Sequence, residues 1–396
     1  MNEEFNSTGK TKVVNLVKAF GFNRKLSAFI CVNLWLIFLS LAVQLQTLAP
    51  DAPGKDAQWA SAGKQAVGTS ASLESKVWFT LQGGALTEVY YPDVTVANVH
   101  KLEFVVVNPR TKKVETETED AIHEIKVTRS DSLSFQQINT AKSGEWKITK
   151  TYTTDVERDS VLIDVRFEPK NKNLNLYVHY DPSLNNTGMG DEAVSPAPRI
   201  VSLGDSKSED KGISVKESLA LTKDFGLQSS DGEMVSALIF SSAISEMTNG
   251  FYQISDGIEQ LRKYGKITQP YWKTEKGNVV QMAKINSPRN FTAILSFAKE
   301  KYEFGIAFVN ARESREKGFA KSLAEYEKGW SDYIRTLRKV EPKYQAQFNM
   351  AAMVLKAQED KTVRGANVAS LTVPWGGGVN ANGDVGGGYH LVWSRD

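Results

Sequence analysis

The stretch Val161-Leu162-Ile163-Asp164-Val165-Arg166-Phe167-Glu168 decides the fold class. Val, Ile, Val and Phe occupy every second position, and successive residues of a β-strand point to opposite faces of a sheet, so the pattern is typical of a strand with a buried face. Residues 174–180 repeat it, and 77–79, 146–152 and 293–297 are similar. Gly83-Gly84 between two such runs predicts a hairpin. Short strands from about residue 76 to 298 therefore predict a large antiparallel β-sandwich.

The period of the apolar pattern changes near residue 312. Apolar residues then recur at steps of three and four, at Phe319, Leu323, Tyr326, Trp330, Tyr333 or Ile334, and Leu337. This spacing predicts an amphipathic helix of about five turns. Pro342 suits the first turn of a second helix, and the side chains expected to face inward are Tyr344, Phe348, Ala351, Ala352 and Leu355. The chain is thus predicted to pass from a β domain through a helical connector into an α region.

Composition and charge exclude several classes of protein. The chain has 396 residues, of which 41% are hydrophobic and 24% charged, with a formal net charge of +2. These fractions are ordinary for a globular protein and exclude a disordered chain or a multi-span membrane protein. The length allows two or three domains, because single cores stop growing at roughly 250–300 residues. The near-neutral charge supplies no broad basic field, so no nucleic-acid partner is expected.

Residues 1–49 combine a basic beginning with an apolar segment. Five Lys and Arg residues lie between positions 10 and 25, and no charged residue occurs from 26 to 50. Such a pattern predicts either a cleaved signal peptide or a retained N-terminal membrane anchor. The protein is therefore expected to be exported to the periplasm or the cell exterior, with membrane contact only through this segment if it stays uncleaved. The single cysteine, Cys31, lies in it, so the exported part is expected to lack disulfides. Residues 50–72, rich in Ala, Gly and Ser, are interpreted as a linker.

The most informative motif is Tyr389-His390-Leu391-Val392-Trp393-Ser394-Arg395-Asp396. Two aromatic residues are followed by a guanidinium and a carboxylate. This group suits a sugar, because an indole covers the apolar face of a pyranose and charged groups form strong hydrogen bonds with hydroxyls. An ordinary buried aromatic residue with a salt bridge explains the pattern equally well. The preceding glycine-rich residues 376–388 are typical of a mobile loop, and no Gly-Lys-Ser/Thr follows to indicate a phosphate site.

Several segments resemble bacterial glucoamylases, which belong to family 15 of the glycoside hydrolases together with glucodextranases. The C-terminal segments that carry the resemblance are 355–361, 369–376 and 387–396, and those similar to the family's N-terminal domain are 68–70, 75–81, 86–92 and 255–257. The resemblance implies an N-terminal antiparallel β-sandwich, a helical linker and an (α/α)6 barrel. The domains expected from it are a signal or anchor at 1–49, the sandwich at 50–310, the linker at 311–341 and the beginning of a truncated catalytic barrel at 342–396.

The resemblance also implies an activity and its substrate contacts. Such enzymes release glucose, with inversion, from the non-reducing ends of α-glucans such as maltooligosaccharides. By position, Tyr389, Trp393, Arg395 and Asp396 match residues that line the subsite for the terminal glucose, with Tyr389 near the developing oxocarbenium ion. Ser394 stands where the family commonly has proline, which leaves these flanking assignments intact.

An inverting hydrolase needs a general acid and a general base roughly 6.5–9.5 Å apart. The resemblance places both glutamates downstream of Asp396, so this chain is expected to contain neither catalytic residue and to be inactive by itself. Glu359, Asp360 and Asp384 are weak substitutes. The first two lie beside Lys361 near a predicted helix end, where a solvated surface is expected, and Asp384 is interpreted as a turn residue.

No cofactor is required by this chemistry. Family members can bind a structural calcium ion, but no compact acidic loop identifies a site in the sequence. His100, His123 and His179 show no metal-ligand spacing and are interpreted as packing residues. His390 is interpreted as a residue that positions the motif around it.

Two kinds of alternative remain. One is a related specificity, either α-1,6 cleavage as in glucodextranases or trehalose hydrolysis. The other is a non-catalytic carbohydrate-binding β-sandwich, which residues 60–300 alone would permit. The helical connector and the motif at 389–396 favour the enzyme, because a binding sandwich has no need of either.

Overall fold

The computed structural model describes residues 48–195, 226–299, 305–372, 381 and 389–394. The strands are β1 (Ala66–Gly68), β2 (Trp78–Gln82), β3 (Ala85–Tyr90), β4 (Val99–Asn108), β5 (Lys113–Thr116), β6 (Ala121–Val127), β7 (Phe135–Ala141), β8 (Trp146–Thr154), β9 (Ser160–Pro169), β10 (Asn175–Pro182), β11 (Glu192–Val194), β12 (Leu227–Ser230), β13 (Met234–Phe240), β14 (Ile244–Phe251), β15 (Val279–Ile285) and β16 (Asn290–Lys299). The helices are α1 (Glu117–Asp120), α2 (Gly257–Tyr264), α3 (Ile306–Lys317), α4 (Phe319–Thr336) and α5 (Pro342–Ala357), with one 3₁₀ turn at Leu184–Asn186.

The strands form two antiparallel sheets that pack face to face. In the first sheet the order is β1-β2-β3-β4-β10-β15-β14, with β5 paired to β4. In the second it is β11-β12-β13-β16-β9-β8-β7-β6. The predicted antiparallel β-sandwich is therefore confirmed, and Gly83-Gly84 forms the predicted hairpin between β2 and β3.

The core lies between the sheets and explains the period-two pattern. Val161, Ile163, Val165 and Phe167 of β9 all enter this core. Leu162 lies on the opposite face of the same strand, where it packs under α3. Helix α2 likewise covers the outer face of the first sheet. Both sheets are thus partly buried on two sides, because each carries a helix on its outer face.

The helical region packs onto one part of the same core. Tyr326 and Trp330 of α4 are fully buried, the Tyr326 hydroxyl donates to the Leu133 carbonyl at 2.9 Å, and the Trp330 indole donates to the Thr69 carbonyl at 2.8 Å. The predicted helix over 319–337 is confirmed. The additional helix α3 precedes it, and the expected boundary between 310 and 311 falls within α3.

The inward face predicted for α5 is wrong. Its buried residues are Asn349, Met353 and Ala357, whereas Tyr344 and Leu355 are 52% and 69% exposed. Periodicity identified an apolar stripe, but the contact with the sandwich is made by the neighbouring stripe. Which stripe is covered depends on the partner surface and not on the helix alone.

Residues 50–72 are not a free linker, which corrects a second expectation. Ala57 and Trp59 are each 1% exposed and belong to a packed cluster with Trp78 and Tyr90 of the first sheet. Small residues in this segment allow close backbone approach: a Cβ on Gly68 would lie 2.1 Å from the Phe79 ring. The predicted signal or anchor lies almost wholly in residues 1–47, outside the described residues. Across the described ranges, no helix is long and apolar enough to cross a membrane.

A buried ion pair lies between the two sheets. Lys150 occupies an inward position of β8, in register with Ile148 and Tyr152, and its Nζ lies 2.8 Å from Oε2 of Glu117. The same ammonium donates to the Gly84 carbonyl at 2.7 Å, while Oε2 of Glu117 accepts the Phe104 N–H at 2.7 Å. Both side chains are fully buried. Burial raises the pKa of Glu117 and lowers that of Lys150, each partner opposing the effect on the other.

Candidate functional site

The motif at 389–394 lies with residues 358–372 against the outer surface of the first sheet. Val368, Leu371 and Ala381 join the cluster around Trp78 and Tyr90. Val368 forms an antiparallel bridge with Val392, and the Ser370 N–H donates to the Tyr389 carbonyl at 3.0 Å. These contacts fix the backbone of residues 389–392 against the sandwich.

The two aromatic side chains of the motif are both accessible. Tyr389 and Trp393 are each 41% exposed, and Val392 between them is 50% exposed. An exposed ring offers the flat apolar surface that a pyranose needs. Arg395 and Asp396 lie outside the described residues, so their assignment to the sugar subsite stays a prediction, as does that of the two aromatic residues.

His390 has the opposite environment. Its side chain is completely buried, and its ring lies 5.8 Å from the Tyr90 ring. Burial lowers the pKa of His390, and the nearby Thr372 backbone and Asp93 oppose this shift. A neutral, buried imidazole suits the positioning role expected of it.

Lys361 lies beside Glu359 and Asp360, where a solvated surface is expected, but its side chain is buried. Its Nζ donates to Thr69 Oγ1 at 2.6 Å and to the Ser75 carbonyl at 2.5 Å, and lies 4.9 Å from the centre of the Trp78 ring. Desolvation lowers the pKa of Lys361 to about 7, although Asp159 and Asp360 oppose the shift. Lys361 therefore ties the segment after α5 to the sandwich. A charged residue beside two carboxylates gives no local signal of burial, so sequence reasoning missed it.

Glu359 and Asp360 are also tied into the structure and not solvated. Asp360 is 4% exposed, and its Oδ1 accepts the N–H groups of Thr362 and Val363 at 2.7 and 2.6 Å. Glu359 pairs with Arg364 at 2.9 Å and with Lys356. Burial alone raises the pKa of Glu359, but these partners outweigh it and lower the value to about 2. A general acid needs a raised pKa, so Glu359 does not suit that role. Asp384 lies outside the described residues.

A cleft of about 860 Å³ adjoins this segment. Its walls come from the loop at 91–95 and the segment at 360–366, with Val392 also contributing. Its lining includes both carboxylates and ammonium groups, among them Asp93, Asp159 and Lys299. The cleft therefore offers hydrogen-bonding groups of both signs next to the motif that carries Trp393.

The described ranges contain no group of three or more His, Cys, Asp or Glu side chains arranged to hold a metal ion. His100 pairs with Asp181 at 2.7 Å, His123 contacts the Glu117 carbonyl at 2.7 Å, and His179 is 1% exposed within the sandwich. Calcium binding stays an open expectation.

Comparison with known proteins places these features in a family. Residues 49–335 match the family described as "Glucodextranase, domain N". A glucoamylase from Clostridium sp. (strain G0005) is 33% identical over 353 residues, which cover 88% of this chain and 46% of that protein. A crystal structure of a bacterial glucoamylase complexed with acarbose superposes with a TM-score of 0.77 at 32% identity, covering 88% of this chain and 48% of the other. The chain thus spans about half the length of the relatives it matches. Since the family match covers more than half of its residues, this chain belongs to the glucodextranase domain N family.

Proposed function

We propose that this chain supplies the β-sandwich and the first sugar-contacting segment of a glucoamylase-like glycoside hydrolase that acts on α-glucans. The observation that carries the proposal is the joint exposure of Tyr389 and Trp393 on a backbone fixed to the sandwich. Rigid elements behind a site keep its contacts in a productive geometry. The similarity to glucoamylases of known sequence and structure supports the same substrate class.

The chemistry of the segment suits the end of a glucan chain. The indole of Trp393 would cover one apolar face of the terminal glucose, and Tyr389 would lie near the charge that develops at its anomeric carbon. Arg395 and Asp396 follow directly in the sequence, where they would form charge-assisted hydrogen bonds with the hydroxyls. Such contacts to a terminal ring favour exo-cleavage at the non-reducing end.

Hydrolysis with inversion requires a carboxylic acid and a carboxylate on opposite sides of the scissile bond. In the described part of the C-terminal segment, Glu359 and Asp360 are engaged in structural hydrogen bonds. We therefore propose that the acid and base belong to the part of the relatives that this chain does not span. The chain by itself would bind the sugar without cleaving it.

The test is binding and hydrolysis by the purified 396-residue chain. We expect saturable binding of maltotriose with no release of glucose, and about fivefold weaker binding for Trp393→Ala, because a stacked aromatic ring contributes on the order of 1 kcal/mol. Tyr344→Ala is the matched control, since that ring is exposed on α5 and is not part of the motif. Titration calorimetry measures the first result and a glucose assay the second.

Two outcomes would contradict the proposal. Equal maltotriose affinity of Trp393→Ala and Tyr344→Ala would show that Trp393 does not contact the sugar. Glucose release by this chain alone would show that the general acid and base lie within it. Parallel titrations with isomaltotriose and trehalose separate α-1,4 specificity from the α-1,6 and trehalose alternatives. If isomaltotriose or trehalose binds more tightly than maltotriose, the specificity is for that sugar and not for α-1,4-linked glucans.

We also propose that residues 1–49 direct export, on the basis of their basic beginning and apolar continuation. The expected result is recovery of the native protein outside the cytoplasm, with an N-terminus near residue 50 if the segment is cleaved. N-terminal sequencing of fractionated cells gives this directly. An intact Met1 in the membrane fraction would indicate an anchor, and an intact Met1 in the cytosol would contradict export.

A further inference from the structure

A second pocket lies on the sandwich, in a part of the chain separate from the motif at 389–394. We propose that it binds one pyranose ring of a neutral glucan, as a carbohydrate site additional to the candidate segment. The assignment of that glucan as an α-glucan rests on the proposed function. The pocket has a volume of about 280 Å³ and is lined by Ile244, Glu246, Met247, Ile267, Pro270 and Trp272, with Ser245 beside them.

The position of the pocket leaves it accessible. Strand β14, which supplies Ile244, Glu246 and Met247, is the last strand of the first sheet. Trp272 is only partly buried, with one part packed on the sandwich core. Trp272 therefore packs against the sandwich core and at the same time lines the pocket. Rigid support of this kind reduces the entropy that a side chain loses when a ligand binds.

Glu246 is held in an unusual backbone conformation. Its φ is +47°, in the left-handed region that a glutamate rarely adopts, and the register of β14 against β15 shifts between Ser245 and Thr248. A bulge of this kind re-aims side chains at a sheet edge. Backbone strain of this type persists only where the surrounding structure determines it, commonly at binding sites.

The carboxylate of Glu246 is fixed but not saturated. Its Oε2 accepts the Tyr177 hydroxyl at 2.6 Å and the Ile267 N–H at 3.2 Å, and its Oε1 accepts from Lys284 Nζ at 2.9 Å. A carboxylate offers about four acceptor positions. Three donors therefore hold the group in place and leave capacity for one hydroxyl of a ligand.

The combination selects a neutral, polyhydroxylated ring. The apolar wall of Met247, Ile267, Pro270 and Trp272 matches the C–H face of a pyranose, and the carboxylate matches a hydroxyl donor at its edge. The negative charge of Glu246 would repel an anionic ligand. Because Lys284 already pairs with this carboxylate at 2.9 Å, a cationic ligand would gain little from it. The small volume fits a single ring better than a drug-sized ligand, whose pockets start at about 300 Å³.

A second sugar contact on the same chain would keep a polymeric substrate near the candidate segment. Two sites that bind one flexible polymer raise the effective concentration of the second contact without any new interaction at the first. The effect requires a glucan long enough to occupy both sites. Short oligosaccharides would therefore gain less from the pocket than long ones.

The test uses the full 396-residue chain carrying Trp393→Ala, so that the candidate segment is weakened, and maltoheptaose as the probe. We expect residual saturable binding that weakens about tenfold in Trp272→Ala and in Glu246→Gln, and that Trp272→Phe largely retains. Tyr264→Ala serves as the control, because that ring is 41% exposed at the end of α2. Glu246→Gln preserves side-chain shape, so it tests the site even if Trp272→Ala disturbs packing. Circular dichroism confirms folding.

The outcomes of this test are separate from those of the proposed function. Unchanged maltoheptaose affinity in both Trp272→Ala and Glu246→Gln, or no residual binding in the Trp393→Ala background, would overturn the pocket while leaving the maltotriose result intact. Weaker maltoheptaose binding in Trp272→Ala and Glu246→Gln, together with a maltotriose affinity that Trp393→Ala leaves unchanged, would support the pocket and contradict the proposed function. Preference for cellohexaose over maltoheptaose would overturn the α-glucan assignment of the pocket.

Discussion

Replacing Lys150 by methionine is expected to lower the free energy of unfolding by about 3–5 kcal/mol, because it leaves a buried carboxylate without its counter-charge. Glu117 and Lys150 are both completely inaccessible, with 2.8 Å between Oε2 and Nζ. The substitution also removes the donor to the Gly84 carbonyl in the β2–β3 hairpin. Guanidinium unfolding of the 396-residue chain, followed by circular dichroism, measures the change.

The matched control removes both charges. Lys150→Met combined with Glu117→Leu is expected to recover much of the loss, because desolvating two charges costs nearly as much as their attraction returns. The Phe104 N–H would then lack its acceptor, so recovery should be incomplete. A double variant as unstable as the single one would show that the hydrogen bonds from the Phe104 N–H and the Asn139 amide to this carboxylate, and not the charge pair, hold this part of the sandwich.

The second large effect is a pH-dependent stability that arises from Lys361. The pKa of Lys361 is about 7 in the folded chain against an ordinary value of 10.5. Below pH 7 both states carry the charge and the full cost of burying it is present. Between pH 7 and 10.5 the folded state loses the proton while the unfolded state keeps it. Because the unfolded state then binds more protons, stability rises with pH in this window, by roughly 1.4 kcal/mol per unit.

The measurement compares the native chain with Lys361→Met between pH 6 and 9. Subtracting the two unfolding free energies cancels groups that titrate in both, so the difference should shift in favour of the native chain as pH rises above 7. The substitution also leaves Thr69 Oγ1 and the Ser75 carbonyl without this donor, a loss of about 1–3 kcal/mol for each group left unsatisfied. A difference that stays constant with pH would mean that Lys361 remains charged throughout.

Resemblance and periodicity identified the family and the sheet architecture. The alternation at 161–168 marked both faces of β9, and the resemblance carried by residues 68–92 and 355–396 is confirmed by the family match and the bacterial glucoamylase relatives. The helical spacing found α4, whose Tyr326 and Trp330 are indeed buried. These features were accessible because strands and helices repeat with fixed local periods.

The roles of Lys150, Glu117 and Lys361 depended on the tertiary structure. In β8, Lys150 stands at an inward position between Ile148 and Tyr152, yet a charged residue in a sequence is ordinarily interpreted as exposed. Its partner is 33 residues away in sequence, and Thr69 is 292 residues from Lys361. A local sequence pattern cannot indicate contacts between residues so far apart in the chain.

By itself, the sequence determined the sandwich, the order of β and α regions, the family and the motif that carries Tyr389 and Trp393. Only the tertiary structure decided which stripe of α5 is buried, that Ala57 and Trp59 are packed, and that Lys361 fastens the C-terminal segment to the first sheet. The physical reason is that periodicity reports the conformation of a segment, whereas burial and desolvation depend on the surface that another, distant segment presents.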